Sequence, residues 1–460
     1  MNKNTAFLSA KALRWAWCLL VLPCAVLAQP SAVPGGGAVV GEVTFSRGVG
    51  FAQFPGQAPR TLGAGLPLRQ GDRLTTAEGS SAILKLNDGT RMTVRPRSEL
   101  VLQQFQYQPE ASAGNSMVLE LLRGGFRAIT GLVNKGNDRA ALVKTPTATI
   151  GIRGTDFDAR LCGRDCATEV KSVPDAPRPA NLRASAKAVA VQGDISALAD
   201  NGERRKLVHG SAIYPGDLVE TSANSRAVLA FRDESKVSLG GATRFKVDDF
   251  IFDSNNPSEG RFLVSLLKGT VRALTGLIGK SQARNVSFKT PTATIGIRGT
   301  GLDLSCDEGG CSFFNWLGSI TVTPDGQSAL QVLQAGQGLF VSPSGIRPIS
   351  DLPLPDIPRP DGVNVDMAPL FSATPVGEAE EGLYVFVRDG HIELVSPSGG
   401  VVHLGRGEVG LANPGGQVLR PLRLPLFIDL DPVPLPTHPN PLLATVLGDS
   451  GIRSTSQCRR

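Results

Sequence analysis

The side chains with the greatest chemical capacity are few: the 460 residues include seven cysteines and four histidines. Four cysteines stand in two close pairs, Cys162-x-x-x-Cys166 and Cys306-x-x-x-x-Cys311. Four thiolates suffice for a zinc ion, but structural zinc sites favour Cys-x-x-Cys knuckles, and these pairs lie in different halves of the chain. A disulfide within each pair fits better. Such short loops remove little chain entropy, so each bridge is expected to brace a hairpin tip locally. Cys458 is left without a partner. His209, His391, His403 and His438 show no His-Glu-x-x-His spacing, and the chain has no Gly-x-Ser-x-Gly elbow. His391 and His403 can face each other across a hairpin, where the expectation is two surface histidines. No catalytic residue, metal ligand or cofactor is assigned, and an enzyme is not expected.

One segment stands out by repetition. Lys144-Thr-Pro-Thr-Ala-Thr-Ile-Gly-Ile-Arg-Gly-Thr155 recurs letter for letter as Lys289–Thr300, 145 residues further on. Arg153 offers a guanidinium to an anion or a partner's carboxylate beside glycines that allow close backbone approach. The binding set read from this is Arg153, Thr155 and Asp156, with Arg298 and Thr300 in the second copy. The structural alternative is a bulge or tight bend whose arginine is tied to Asp156 or Asp158. No Gly-Lys-Ser/Thr follows, which disfavours a phosphate cradle.

The elements that position these residues are strands. Glycine and proline number 53 and 33 while aromatic residues make up 5%, a balance that favours short strands and turns over long helices. Ala82, Leu84 and Leu86 alternate with Ser81, Ile83 and Lys85, Asp88-Gly89 turns the chain, and Met92 and Val94 resume the pattern. The second copy keeps the alternation in Ala227, Leu229, Phe231, Val237 and Leu239. Its Asp233-Glu234 implies a turn of another type or length. Six to nine short strands per copy are expected. Gly318–Thr323 with the stretch through Gly345 reads as a closing hairpin pair, and Gly390–Val395 with Leu404–Gly416 resembles it. The offset also relates Arg127–Val133 to Arg272–Ile278 and Gly71-Asp72 to Gly216-Asp217, so a whole domain is duplicated.

Residues 1–28 read as a signal peptide: Lys3, Lys11 and Arg14 precede the apolar run Trp15–Ala28, which ends in Val26-Leu27-Ala28. That run is too short to span a bilayer, and no later stretch is long enough, so no membrane span is expected after cleavage. Three of the charges behind the net +6 belong to this leader, and no basic, aromatic-rich patch argues for nucleic acid. An oxidising compartment agrees with paired cysteines.

Asp88-Gly89-Thr90 after an alternating strand, Leu121-x-x-Gly124 and Gly154-Thr155-Asp156-Phe157 together resemble the FecR domain family, in two tandem copies. The second copy departs from the pattern at Glu234 and at Gly301-Leu302. The reading is therefore an all-β protein of two FecR-type domains, as a β-sandwich or β-roll, with a small third β module. The boundaries are signal peptide 1–28, linker 29–42, first copy 43–171, linker 172–187, second copy 188–349, proline-rich linker 350–382, small β module 383–424 and proline-rich tail 425–460. The resemblance implies a periplasmic sensing or interaction domain. In the namesake regulators it takes a signal from an outer-membrane TonB-dependent receptor and relays it to a sigma factor, but here a cleavable leader stands where those proteins carry a cytoplasmic anti-sigma segment. The expected function is an exported envelope protein of a Gram-negative periplasm that binds another protein. The alternative is a sensor of a small ligand or glycan held between the copies.

Overall fold

A computed structural model describes residues 37–110, 114–134, 140–172, 184–327, 330–354, 356–377, 379–429 and 433–437. The expected leader, His438 and Cys458 lie outside them. Two sheets of 15 strands each carry the fold, and each has its own apolar core. The strand count exceeds the expected six to nine because many strands are only two to four residues long, as in Arg60–Thr61, Arg73–Thr76 and Ala212–Ile213. Among the described residues no helix is long and apolar enough to cross a membrane.

The duplication is visible strand by strand. In the first copy Ser81–Leu86 pairs with Arg91–Val94, which lies against Ser116–Ile129. In the second, Arg226–Phe231, Lys236–Leu239 and Arg261–Leu274 repeat this arrangement. The turns match as well, contrary to the expectation from Glu234. Asp88 accepts hydrogen bonds from the Thr90 amide (3.0 Å) and hydroxyl (2.8 Å), and Asp233 does the same for Ser235 (3.1 and 2.8 Å). The buried aspartate and the hydroxyl two residues on define the loop, and the residue between them must adopt a positive φ. Gly89 does so at 87° without strain, whereas Glu234 is forced to 68°. Glu234→Gly is expected to stabilise the second domain by about 1 kcal/mol, read as a shift in urea midpoint at unchanged slope.

The long strand Thr149–Cys162 carries the repeated segment. On one side it pairs with Ser116–Ile129 and Ala141–Lys144. Its other neighbour is Gly382–Val395, antiparallel from Thr149↔Val395 to Cys162↔Gly382. The second copy obtains the same neighbour at once: Ala293–Asp307 turns directly into Gly310–Pro324. The region expected as a separate module at 383–424 is thus the closing part of the first domain. Gly382–Val395, Val401–Gly405 and Val409–Ala412 take the places held in the second domain by Gly310–Pro324, Gln331–Gln334 and Gln337–Ser342. The physical reason is edge satisfaction: an open strand of this length would leave a row of amides and carbonyls unpaired beside exposed core. The second domain sits, in sequence, inside the first.

In the described parts of 350–382 and of the tail the prolines do not make loose spacers, while the expected linker around 173–183 lies outside the described residues. Between the second domain and the closing strands, Ile357, Pro360 and Leu370 are buried, and the carbonyls of Asp356, Ile357 and Val363 accept from Arg226, Arg272 and Lys236. In the tail, Leu426, Phe427 and Ile428 are buried, and the carbonyls of Phe427 and Pro434 accept from Arg95 and Thr93. Disulfides join Cys162 to Cys166 and Cys306 to Cys311. The first begins the helix Arg164–Ser172, whose Asp165 and Glu169 both bind the buried Arg160 guanidinium at 2.7 and 2.6 Å. The second spans the tip of a hairpin.

Candidate functional site

In the first copy the repeated segment forms a bulge between Arg153 and Asp156. Gly154 lies at φ 57° and faces Gly390, where a Cβ would stand 2.3 Å from the Gly154 carbonyl oxygen. The three residues singled out here are drawn into internal contacts. Arg153 approaches Glu393 at 3.9 Å. The Thr155 hydroxyl donates to the carbonyl of His391 at 3.0 Å, and its amide donates to Thr130 Oγ1 at 2.8 Å. Asp156 accepts from Arg127 Nε and Nη2 at 3.2 and 3.1 Å. In the second copy the bulge recurs between Arg298 and Gly301; the side chains of Arg298 and Thr300 lie outside the described residues. Because Gly301 replaces the aspartate there, Arg272 turns to Asp303 at 2.9 and 2.8 Å.

The bulge borders a joint between the two domains that is buried and polar. Lys187, on the first strand of the second domain, is fully buried and donates to Glu408 Oε2 at 2.6 Å and to the carbonyl of His403 at 3.1 Å. Glu408 also accepts from the Gly405 amide at 2.6 Å. Arg420 donates to the same His403 carbonyl at 2.6 Å, with its Nε 3.5 Å from Glu408. Tyr214 donates to the carbonyl of Arg406 at 2.6 Å. Beside these groups His391 stacks on His403 with ring centres 5.5 Å apart, and His209 of the second domain meets His403 edge-on at 5.1 Å. His391 and His403 are therefore not the surface pair expected: both are buried. Among the described residues no group of histidine, cysteine and carboxylate side chains has the geometry to hold a metal ion.

Electrostatics follow from this packing. Burial, followed by the charges of Lys187, His403 and Arg153, holds His391 well below the usual imidazole range. Burial and then His209 and Lys187 lower His403 to about 4. Burial and the nearby Arg420 lower Lys187 to about 8, with Glu408 opposing them. Burial would raise Glu408, but Lys187 and Arg420 outweigh it and keep the carboxylate below its ordinary value. At the rim, Asp389 shares a hydrogen bond with Glu203; burial and that partner raise Asp389 to about 6.

A pH response follows. His403 titrates at about 4 in the fold against 6.5 unfolded, so the unfolded chain binds the extra proton between those values and acidification through the interval costs stability, on the order of 3 kcal/mol for this group. Asp389 acts oppositely. Its raised value makes the folded state the proton binder, so its contribution is present at low pH and is lost as pH rises through about 6. Urea midpoints measured from pH 7 to 4 should fall on the acid side, and a His391→Leu, His403→Leu double variant should flatten that fall. An unchanged acid slope in the variant would contradict the assignment.

Sequence reading did not find Lys187, Glu408, Arg420, Tyr214, Glu203 or Asp389. A lone lysine in Ala186–Val191 and a glutamate in a glycine-rich turn look like solvated residues. Only the likeness of the 390–416 stretch to the closing hairpins of the second copy pointed toward the joint.

Comparison with known proteins bears on both copies. Residues 72–173 and 217–319 match the family described as FecR protein. No curated protein matches the chain. Two crystal structures of a candidate anti-sigma factor from Parabacteroides distasonis, at 1.65 and 2.50 Å resolution, align at 13% identity with a TM-score of 0.24. They cover 29% of this chain, which spans 59% of the solved one. The chain carries two tandem FecR domains, the first of which is closed by strands that follow the second.

Proposed function

We propose that this is an exported envelope protein whose coupled FecR domains bind another protein as a non-catalytic module of envelope signalling. The observation that supports it is the FecR match in both copies, joined to the buried Lys187–Glu408 contact that fixes the mutual geometry of the domains. A binding partner then meets one preset surface instead of two independent modules. The resemblance to FecR-type regulators favours a natural partner in the envelope, and the two disulfides suit an oxidising compartment. The test is photo-cross-linking in cells from exposed positions away from the joint, Val49 and Ile251. The reading expects adducts with an envelope protein and a chain found outside the cytoplasm without residues 1–28. A cytoplasmic chain, or no adduct from either domain, would overturn it.

A second reading has one feature in its favour. A cleft of about 410 Å³ opens where Arg232, Glu234 and Phe252 of the second domain approach Phe371, Arg420 and Leu422, a size that suits a small ligand. Thermal shifts on a panel of envelope glycans and metal chelates separate the readings: a response lost in Phe371→Ala supports the sensor, and a flat response removes it.

A further inference from the structure

The two domains are joined in a head-to-tail sense: the closing hairpins of the first lie on the leading edge of the second. Duplication means that the chain carries each of these surfaces twice. The second domain has its own closing hairpins, and the first has its own leading edge. Register pairing defines the equivalents. Ile392 and Ile320 occupy the same place opposite Ile152 and Ile297, so Asp389 corresponds to Leu317. His403 corresponds to Val332, and Val409 to Gly338, which makes Gln337 the counterpart of Glu408. On the leading edge, Lys187↔Ala212 corresponds to Glu42↔Pro67, and Ser196↔Lys206 to Phe51↔Thr61. Glu203 and His209 are thus represented in the first domain by Ala58 and Ala64.

The substitutions are matched across the contact. Where the internal joint sets Asp389 against Glu203, the second set has Leu317 and Ala58, apolar on both sides. His403 against His209 becomes Val332 against Ala64, again apolar on both sides. Lys187 against Glu408 becomes Glu42 against Gln337, in which the acceptor and donor roles are exchanged but still complementary. Tyr214, which donates to the Arg406 carbonyl, is represented by Arg69, also a donor. These residues do not meet within the chain: Leu317 and Val332 are 49% and 53% exposed, and Glu42, Ala58, Ala64 and Gln337 are exposed as well.

We propose that the closing hairpins of the second domain dock on the leading edge of the first domain of another copy of this chain, repeating the internal joint between molecules. The occupant is named by continuity with the interface already present in the chain, since the equivalent hairpins of the first domain are covered by a FecR leading edge, and among the described residues one such edge stands uncovered. The contact is heterologous, so it propagates into head-to-tail strings unless the rotation closes a ring. The inference is independent of the envelope partner, which would be a different protein.

Sedimentation velocity on the purified chain, from micromolar to hundreds of micromolar, tests it. Wild type should show a weight-average mass that rises with concentration. Leu317→Glu and Ala58→Glu, both at exposed positions, should each weaken association roughly tenfold or more, by placing a carboxylate in an apolar contact. Mixing the two variants should then yield a dimer that neither forms alone and that grows no further, because each retains one intact face. A wild type that stays monomeric throughout, variants that associate like wild type, or a mixture no heavier than its parts would overturn the proposal.

Discussion

A chain ending at Glu381 is expected to lose the first domain and keep the second. The segment removed supplies the whole outer neighbour of Thr149–Cys162. It also places Leu383, Val385, Val387, Ile392 and Leu394, all fully buried, in the first core. At about 1.5–3 kcal/mol for each buried aliphatic side chain, these five contribute roughly 7–15 kcal/mol before entropy is counted, comparable with the net stability of a whole domain. The second domain draws its closing strands from 310–342 and loses nothing of its own sheet. Hydrogen exchange should therefore find residues 184–349 protected in the truncated chain and residues 37–172 open. Retained protection in both would mean that 383–424 is a separate unit, as the sequence alone suggests.

Glu408→Ala is expected to cost about 3–5 kcal/mol, the usual penalty for removing one partner of a buried pair and leaving the other charge in place. Here two cations are stranded, since Lys187 is fully buried and Arg420 nearly so, and both face Glu408. The Gly405 amide loses its acceptor as well. Because the pair bridges the domains, the loss should uncouple them, splitting a single calorimetric transition into two. Glu408→Gln keeps the acceptor without the charge and should fall between. A cost below about 1 kcal/mol would place the pair with weak surface contacts.

The two predictions draw on features that differ in how far the sequence reveals them. Alternation at Ala82–Leu86 and Ala227–Phe231 marked strands correctly because the signal is local: one face of each must be apolar. The turn at Glu234 keeps the type of its counterpart because the aspartate and the hydroxyl two residues on build the loop, whatever residue stands at the positive-φ position between them. Strand partnership is a different kind of information. The pattern of Gly382–Val395 says that it is a strand, but nothing local says that its neighbour is Thr149–Cys162 and not a strand of its own module. The hint was a mismatch: the second copy carries closing hairpins directly after its repeated segment, the first does not, and a look-alike of those hairpins appears downstream. Arg153, Thr155 and Asp156, read from the sequence as a binding set, find partners within the chain in Glu393, the His391 carbonyl and Arg127. Two of those partners belong to the same distant strand. The facing of His391 and His403 across a hairpin is legible in the sequence, but their burial and the approach of His209 are not, since these arise only once that strand is in place.

The interlaced closure of the first domain is tested most directly by a designed crosslink. Gly151 pairs with Glu393, and a Cβ built at Gly151 would lie 3.7 Å from the Glu393 Cβ, close to the ~3.8 Å separation of disulfide-bonded cysteines. A Gly151→Cys, Glu393→Cys chain oxidised without catalyst should yield one peptide linking positions 151 and 393, with Cys162–Cys166 and Cys306–Cys311 unchanged. Free thiols at both new positions in a folded protein would show that the two strands are not neighbours.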